Sequence, residues 1–481
     1  MLRASARAAV AAGLARAIDT GRLPDAAEAR SAAVELSRPS NAEHGDLASN
    51  LGLRLAKPLR LPPLAIATAI AEAMSEVAAQ GAANGATPAV ASVAAVAPGF
   101  LNLRLAEGAI EAVLDEARRE PAAWGRTGRP SGDGAAGPTR HVNVEFVSAN
   151  PTGPLTVGNA RGAFVGDLLS RVLEAGGQRV TREYYFNDSG NQVRNLGASV
   201  LALREGREIP EDGYHGEYLV DVARDLPDTI AVARPGDDED TRAWAAGRWA
   251  SAKIREQIEA SLAHLGVRFD VWTTEESLHE NGWVEQAMER LRAGGHLYEQ
   301  DGALWFRSTA FGDDKDRVVR RSDGELTYFG VDIGFHHFEK FERADHVINF
   351  FGPDHHGYIQ RLRAAMRALG HPAEAFDVLI VQLVTLLRDG QPVRMSKRRG
   401  EFVLMEELLE EVGRDAARFT FLTRRHDSPL EFDLAVATRQ TSDNPVFYVQ
   451  YAHARTRSVA RNAAESGVTR EGFDASLLTH E

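Results

Sequence analysis

Residues 141–164 read HVNVEFVSANPTGPLTVGNARGAF, and the architecture of the chain can be inferred from them. The first eight residues alternate in polarity, with Val142, Val144 and Phe146 on one face, which predicts a strand. The NPTGP run cannot continue a strand. Apolar side chains then repeat at helical spacing until the glycine pair at 176–177, which predicts a helix that ends there.

A second strand, RVTREYYF, follows at 179–186. Strand, helix and strand with such short connections are typical of a parallel βαβ unit. The pattern recurs at 346–352 (HVINFFG), and the apolar run FDVLIVQLVTLL at 376–387 predicts a buried central strand. The fold class is therefore α/β, an open doubly wound (Rossmann-like) parallel sheet that binds its ligand outside the carboxyl ends of the strands.

Composition changes along the chain predict its organisation. We expect a small α/β domain over 1–118, a glycine- and proline-rich linker over 119–140, and the sheet domain over 141–440. A mainly helical insertion is predicted at about 200–330. An all-α domain begins at 441 and stops at 481, so most of it is expected to be missing.

The overall composition excludes several classes of protein. The chain has 481 residues, a formal charge of −13 and no cysteine. Disulfides, thiolate zinc sites and cysteine nucleophiles are thus excluded, and so is coating of nucleic acid by bulk positive charge. The first 18 residues resemble a transit or signal peptide in composition. Arg3, Arg7 and Arg16 interrupt their apolar run, however, and favour an ordinary amphipathic helix in a cytoplasmic protein without a membrane span.

Two segments carry the predicted chemistry. In the first, PLTVGNARG at 154–162, backbone amides at a helix start favour anions, and Gly158 and Gly162 let a phosphate or a flat base approach the main chain. The second, PVRMSKRRG at 392–400, places four cations around Ser396 and suits a mobile clamp on phosphates. Taken alone, the first is equally typical of a tight turn and the second of a solvated basic loop.

Together, in this order and at this distance, the two segments resemble the HIGH and KMSKS signatures of class I aminoacyl-tRNA synthetases. The surrounding sequence segments resemble the arginyl-tRNA synthetases, and the resemblance runs from residue 44 almost to the end of the chain. The segments are HGDLASNLGLRLAK, EFVSANPTGPL, YYFNDSGNQV, GPDHHGY, MSKRRGEFV and DNPVFYVQYAHAR.

This resemblance implies an enzyme that activates arginine with ATP and transfers it to tRNA(Arg). Magnesium would travel on the ATP phosphates, with no protein-bound metal, and the enzyme would be a monomer whose amino-terminal domain touches the tRNA elbow. Arg54, Lys57 and Arg60 in that domain are equally compatible with a solvated basic face.

The resemblance also assigns roles to individual residues. The implied catalytic residues are Thr156, Gly158, Asn159, Ser396 and Lys397. ATP would be bound by Pro154, Gly158, Gly162, Gly352, Asp354, His355, Met395 and Lys397. The arginine pocket would comprise Glu145, Ser148, Asn150, Tyr328 and Asp332. Bidentate pairing with a carboxylate such as Glu145 distinguishes a guanidinium from an ammonium.

Two departures from the family leave alternatives open. Thr156 and Asn159 stand where the first signature has histidines, so neither position can become cationic, although both can still hydrogen-bond oxygens. This change and the short end favour, as an alternative, a synthetase-like protein that binds ATP or RNA without aminoacylation. A synthetase for another amino acid is a second alternative, although Glu145, Asn150, Tyr328 and Asp332 favour a cationic substrate. A metal site built from His336, His337, His346, His355 and His356 is disfavoured, because their spacing matches no recognised ligand set.

Overall fold

The computed structural model of the chain describes residues 2–83, 88–126, 139–232, 238–334, 338–393 and 403–469. These residues form two compact units, one that ends at residue 127 and one that runs from 128 to 469.

The first unit is a small α/β domain. Helices α1 to α4 share one apolar core with a three-stranded antiparallel sheet, in which β3 lies between β1 and β2. No single helix in the described parts of the chain is long and apolar enough to cross a membrane; α3 and α4 pass that test only as a pair bent by 116°. In chain order the elements are α1 Leu2–Asp19, α2 Ala27–Arg30, β1 Leu47–Ser49, α3 Leu51–Leu59, α4 Pro63–Ala83, β2 Val90–Val96, β3 Phe100–Leu105 and α5 Glu107–Arg119.

The second unit contains β4 to β14 and α6 to α19. Its strands are β4 His141–Glu145, β5 Arg179–Phe186, β6 Val271–Thr274, β7 Leu297–Gln300, β8 Ala303–Phe306, β9 Arg317–Arg320, β10 His346–Phe351, β11 Phe376–Ile380, β12 Val384–Arg388, β13 Gln391–Pro392 and β14 Leu430–Asp433. Its helices are α6 Val157–Ala175, α7 Asn191–Arg204, α8 Glu217–Asp225, α9 Asp228–Ala231, α10 Glu239–His264, α11 Glu275–Glu280, α12 Trp283–Ala293, α13 Tyr328–Asp332, α14 Phe338–Arg343, α15 Ile359–Ala368, α16 Met405–Val412, α17 Arg414–Phe421, α18 Leu434–Thr438 and α19 Pro445–Glu465.

The main sheet confirms the predicted doubly wound fold. Five parallel strands stand in the order β11-β10-β4-β5-β6. The chain therefore starts in the middle at β4, winds outward through β5 and β6, and returns to the other side of β4 as β10. This reversal creates a switch point between β4 and β10, where the carboxyl ends of the strands leave a crevice for a ligand.

The central strand β4 is buried on both faces. Val142, Val144 and Phe146 belong to a core cluster that also contains residues of α6, as their alternation predicts. The opposite face carries Asn143 and Glu145, which are only 2% and 4% exposed. Because a buried carboxylate needs hydrogen bonds or a cation, this face of β4 marks a polar site. On the same side of the sheet, the neighbouring strands β10 and β11 contribute Val347, Phe376 and Val378 to a second apolar core.

Two predictions for this unit were wrong in detail. The run 376–387 is not one central strand, because β11 is the edge of the main sheet and β12 pairs with β13 and β14 in a separate sheet. Backbone bonding explains the break: the Val381 amide still bonds Phe351, whereas the Gln382 amide bonds His426. The segment 200–330, predicted to be a mainly helical insertion, also contains strands: β6 completes the main sheet, and β7, β8 and β9 form an antiparallel sheet.

Helices α7 and α10 cross closely enough to require glycine. A Cβ on Gly197 would lie 1.8 Å from the carbonyl oxygen of Ala243. We expect Gly197→Ala to lower the free energy of unfolding by about 1–3 kcal/mol through overpacking, although alanine favours helices more than glycine does. Thermal unfolding measures the effect, and Gly162→Ala, whose Cβ meets no atom within 4 Å in α6, is the control. Equal melting temperatures for Gly197→Ala and the parent would contradict this helix crossing.

Candidate active site

A cleft of about 570 Å³ lies at the switch point between β4 and β10. One wall is formed by the start of α6, with Thr156, Gly158, Asn159 and Gly162, and the other wall includes Gly352 and Asp354 beyond the end of β10. These residues were predicted from segments almost 200 positions apart in the chain, and the fold places them around one cavity. We call this cavity the nucleotide cleft.

The start of α6 is organised by Thr156 and Asn159. The backbone amide of Thr156 donates to Asn159 Oδ1 at 2.9 Å, and the Thr156 hydroxyl lies 3.0 Å from the same oxygen. This mutual pairing caps the helix and leaves its first amides directed outward. A Cβ on Gly158 would meet only Thr156 Oγ1, at 3.6 Å, so the helix start presents an open main-chain surface to the cleft.

The basic segment is attached to this same helix start. The Val157 amide donates to the Val403 carbonyl at 3.2 Å, and the Met405 amide donates to the Leu155 carbonyl at 3.0 Å. These two bonds join 155–157 to 403–405 as a short antiparallel pair, which we call the loop anchor. Met395, Ser396 and Lys397 lie outside the described residues, but their segment leaves β13 at Pro392 and resumes at the loop anchor.

Arg161 joins the two walls, a role that the sequence reasoning missed. Its guanidinium is fully buried and donates to the carbonyl of Gln382 at 2.9 Å and to that of Arg425 at 2.7 Å. Burial lowers the pKa of Arg161, which still bonds two carbonyl dipoles. Arg161 therefore fixes the connection between β11 and β12, whose residues Gln382 and Leu383 line the nucleotide cleft.

The turn after β4 is held in a strained conformation. Val147 and Ser148 have φ values of 69° and 41°, in the left-handed region that disfavours side chains with a Cβ, and valine most of all. The turn places Val147 in the wall of the nucleotide cleft and directs Ser148 back, so that its hydroxyl donates to Glu145 Oε1 at 2.9 Å. This strained turn therefore connects Val147, in the wall of the nucleotide cleft, to Glu145 on the buried face of β4.

An acidic pocket adjoins this turn. The Tyr185 hydroxyl donates to Glu275 at 2.7 Å, and the Tyr358 hydroxyl donates to Asp332. Burial raises the pKa of Tyr185, and the charges of Glu275, Asp332 and Glu145 raise it further. We call Glu145, Glu275 and Asp332 the acidic pocket. Its charge and its place at the carboxyl ends of β4, β5 and β6 suit a cationic ligand.

Sequence reasoning found only part of this pocket. Glu145, Ser148 and Asp332 were predicted, whereas Tyr185, Glu275 and Tyr358 were not. Their positions could have indicated two of these residues, because Tyr185 lies near the carboxyl end of β5 and Glu275 directly follows β6. Glu275 was assigned to the insertion, so its strand was not recognised as part of the sheet.

Two predicted arginine ligands are directed differently from the others. Tyr328 and Asp332 share helix α13, as their spacing predicts, but the Tyr328 residue is 83% exposed. Asn150 is also exposed. The structure thus brings Glu145, Ser148 and Asp332 to the acidic pocket and leaves Tyr328 and Asn150 outside it.

Two buried polar residues beside Glu145 were also missed. The Lys340 ammonium, from α14, bonds Glu145 Oε2 and is 1% exposed. Asn349 on β10 is the register partner of Glu145 and is fully buried, yet among the described residues neither its amide nitrogen nor its oxygen has a hydrogen-bond partner.

The histidines do not form a metal centre among the residues that the structure describes. No group of three or more His, Asp or Glu side chains there is placed to hold a metal ion. His346 bonds Asp377 at 2.9 Å and His355 lies 3.5 Å from Asp354. His336 and His337 lie outside the described residues.

Comparison with known proteins shows the family to which the chain belongs. The profile described as tRNA synthetases class I (R), catalytic domain, matches residues 130–208 and 229–433, and an arginyl-tRNA synthetase N-terminal domain profile matches 5–105. The chain belongs to the class I arginyl-tRNA synthetase family. An arginine–tRNA ligase of Geobacter sp. (strain M21) is 45% identical over 447 residues, which are 91% of this chain and 77% of that protein.

Two further members support the assignment. An arginine–tRNA ligase of Kineococcus radiotolerans is 44% identical over all of this chain and 82% of its own length. The solved Thermus thermophilus arginyl-tRNA synthetase has a TM-score of 0.67 at 24% identity, with 95% of this chain and 82% of that one covered, which supports the shared fold.

The start of α6 is the segment that resembles the HIGH signature in the sequence. The family's two histidines are replaced here by the mutually bonded Thr156 and Asn159. The helix start and its capping are retained, while a pair of cationic side chains is not available at these two positions.

We expect Gly158→Ala to preserve the fold but weaken ATP binding. The added methyl group has room in the free protein, yet it would occupy the surface that we assign to the nucleotide. The KM for ATP should rise by about tenfold, which corresponds to roughly 1.4 kcal/mol, with an unchanged melting temperature. Steady-state kinetics and thermal unfolding of the same sample measure both quantities. An unchanged KM for ATP would place the nucleotide elsewhere.

Proposed function

We propose that the chain activates arginine with ATP and transfers the arginyl group to tRNA(Arg). The main support is an acidic pocket placed directly beside the nucleotide cleft of a class I synthetase fold. A cationic side chain in that pocket would bring its own α-carboxylate toward the cleft, where ATP would lie.

In the first step a carboxylate oxygen of arginine attacks the α-phosphorus of ATP, and pyrophosphate leaves. In the second step a hydroxyl of the terminal ribose of tRNA attacks the arginyl carbonyl, and AMP leaves. Neither step needs a nucleophile from the protein, so catalysis consists of positioning and charge stabilisation.

The nucleotide-binding roles follow the two walls of the cleft. We assign the phosphates to the amides at the start of α6 beside Gly158, with Thr156 and Asn159 as hydrogen-bonding groups, and the adenosine to the side of Gly162, Gly352 and Asp354. Pro154 and His355 are included from the family resemblance. Met395, Ser396 and Lys397 would close over the leaving pyrophosphate from the loop anchor, and Mg²⁺ would accompany the phosphates rather than occupy a protein site.

Arginine recognition would rest on paired carboxylates. Glu145 and Asp332 are assigned to the guanidinium, which can form parallel hydrogen bonds with a carboxylate that an ammonium cannot form. Ser148 orients Glu145 at 2.9 Å, and Glu275 adds negative charge through Tyr185. Tyr328 and Asn150 would have to turn inward to cover the bound amino acid.

The remaining parts of the proposal come from the family resemblance. They are a tRNA-contacting domain over 1–118, a linker over 119–140, a catalytic domain over 141–440, the beginning of an anticodon-binding domain over 441–481, a monomeric enzyme and a cytoplasmic location. The chain spans about four fifths of the curated relatives described above, at 77% and 82% of their lengths.

Arginine-dependent exchange of pyrophosphate into ATP, measured with tRNA present, tests this function. We expect exchange with arginine and none with lysine or glutamine at equal concentration. The replacement of two signature histidines by Thr156 and Asn159 favours one rival, a synthetase-like protein that binds ATP or RNA without aminoacylation. Binding of ATP with no exchange for any amino acid would support that rival, and exchange with another amino acid would identify a different synthetase.

We expect Asp332→Asn to raise the KM for arginine by about 10- to 100-fold, because a hydrogen bond to a charged group is worth roughly 1.5–3 kcal/mol. The KM for ATP should stay within about twofold, since Asp332 lies in the acidic pocket rather than the cleft. Asp323→Asn, an exposed carboxylate in the turn before α13, is the matched control. If both variants kept the parent KM for arginine, the assignment of Asp332 to the guanidinium would be wrong.

A further inference from the structure

We propose that Lys340 is a positioning residue that holds the Glu145 carboxylate in the orientation required to bind arginine. This inference rests on the proposed function, because it concerns how the same pocket recognises its amino acid. Lys340 follows α13 in the chain and lies on α14, outside every segment that suggested the family.

Lys340 and Ser148 each engage one oxygen of Glu145. The ammonium bonds Oε2, and the Ser148 hydroxyl donates to Oε1 at 2.9 Å. The two charged side chains are 1% and 6% exposed. A lysine is almost never fully buried unless it is paired, and removal of one partner from such a pair leaves the other charge without compensation.

Helix α14 supplies a cation to each of two acidic residues on neighbouring strands of the sheet. Glu145 on β4 and Glu183 on β5 are register partners, so their side chains emerge on the same face of neighbouring strands. Two buried carboxylates at this spacing repel each other. Lys340 pairs with Glu145, and Arg343, three positions later on the same helix, approaches Glu183 at 3.4 Å.

The two ion pairs differ in what else they contact. Glu183 is fully buried and is bonded by the side chains of Asn143 and Thr273, so its pair with Arg343 belongs to the packing of the sheet. Glu145 and Tyr185 project from the same face of the neighbouring strands β4 and β5, and the charge of Glu145 helps to raise the pKa of Tyr185. A carboxylate has about four lone-pair sites, so Glu145 can accept hydrogen bonds from a guanidinium while Lys340 and Ser148 fix its plane.

Lys340 could either position Glu145 or compete with the substrate cation for it, and the two roles predict opposite changes in arginine affinity when Lys340 is replaced. If Lys340 fixes Glu145, its loss leaves a misoriented carboxyl group, and arginine binds more weakly. If instead Lys340 occupied the place of the substrate cation, its loss would free Glu145, and arginine would bind more tightly. The direction of the change in affinity therefore decides between the two roles.

The test uses the full chain and measures arginine binding by titration calorimetry, together with pyrophosphate exchange in the presence of tRNA. We expect Lys340→Met to weaken arginine binding by about 10- to 100-fold, with the KM for ATP within about twofold and a much smaller change in kcat. Lys340→Arg, which retains the cation, should restore most of the affinity. Arg343→Met removes a cation from the same helix and should lower the melting temperature while leaving arginine affinity within about threefold.

Lys340→Gln covers the case in which Lys340→Met does not fold, because glutamine keeps a hydrogen-bond donor without the charge, and it too should weaken arginine binding. Unchanged or tighter arginine binding by a folded Lys340→Met or Lys340→Gln would overturn the proposal, as would an equal loss in Arg343→Met. Parent protein that binds arginine without exchange would contradict the proposed function alone, whereas parent protein that binds no arginine would overturn both.

Discussion

Two backbone hydrogen bonds, from the Val157 amide to Val403 and from the Met405 amide to Leu155, attach the chain at 403–405 to the start of α6. Without them the glycine-containing helix start and residues 403–405 would belong to separate parts of the structure. The buried guanidinium of Arg161 makes a parallel connection to Gln382 and Arg425, so the second wall of the cleft is attached to the same helix.

The acidic pocket depends on the sheet in a different way. Strands β4, β5 and β6 end at one edge, and each supplies a polar group there or just beyond it: Glu145, Tyr185 and Glu275. Such a concentration of negative charge is unfavourable in the free protein unless cations or phenol hydroxyls compensate it. In the function proposed above, a bound guanidinium would add a further compensating charge, so the pocket would favour a cationic substrate over a neutral one of similar shape.

Much of this architecture was predictable from sequence, and the exceptions have a physical reason. Alternation at 141–147 and helical spacing after Thr156 are local patterns, and they identified β4, α6 and β5. A continuous apolar run does not reveal whether one strand or two will form, which is why 376–387 was misread. The pair of Lys340 and Glu145 joins residues 195 positions apart, and no local pattern reports such a contact. Tyr328 was placed on the correct helix, but its exposure depends on packing that spacing does not encode.

The start of α6 and residues 403–405 are joined at the loop anchor, and a disulfide tests this connection most directly. Thr156 and Leu404 face each other in the anchor as a non-hydrogen-bonded antiparallel pair, for which a Cα separation of about 4.5 Å is typical. The chain has no cysteine, so a Thr156→Cys, Leu404→Cys double variant contains only the two introduced thiols. Mild oxidation followed by intact-mass measurement should show rapid, nearly complete formation of one intramolecular disulfide. Two free thiols after the same treatment, in a folded protein, would contradict the account.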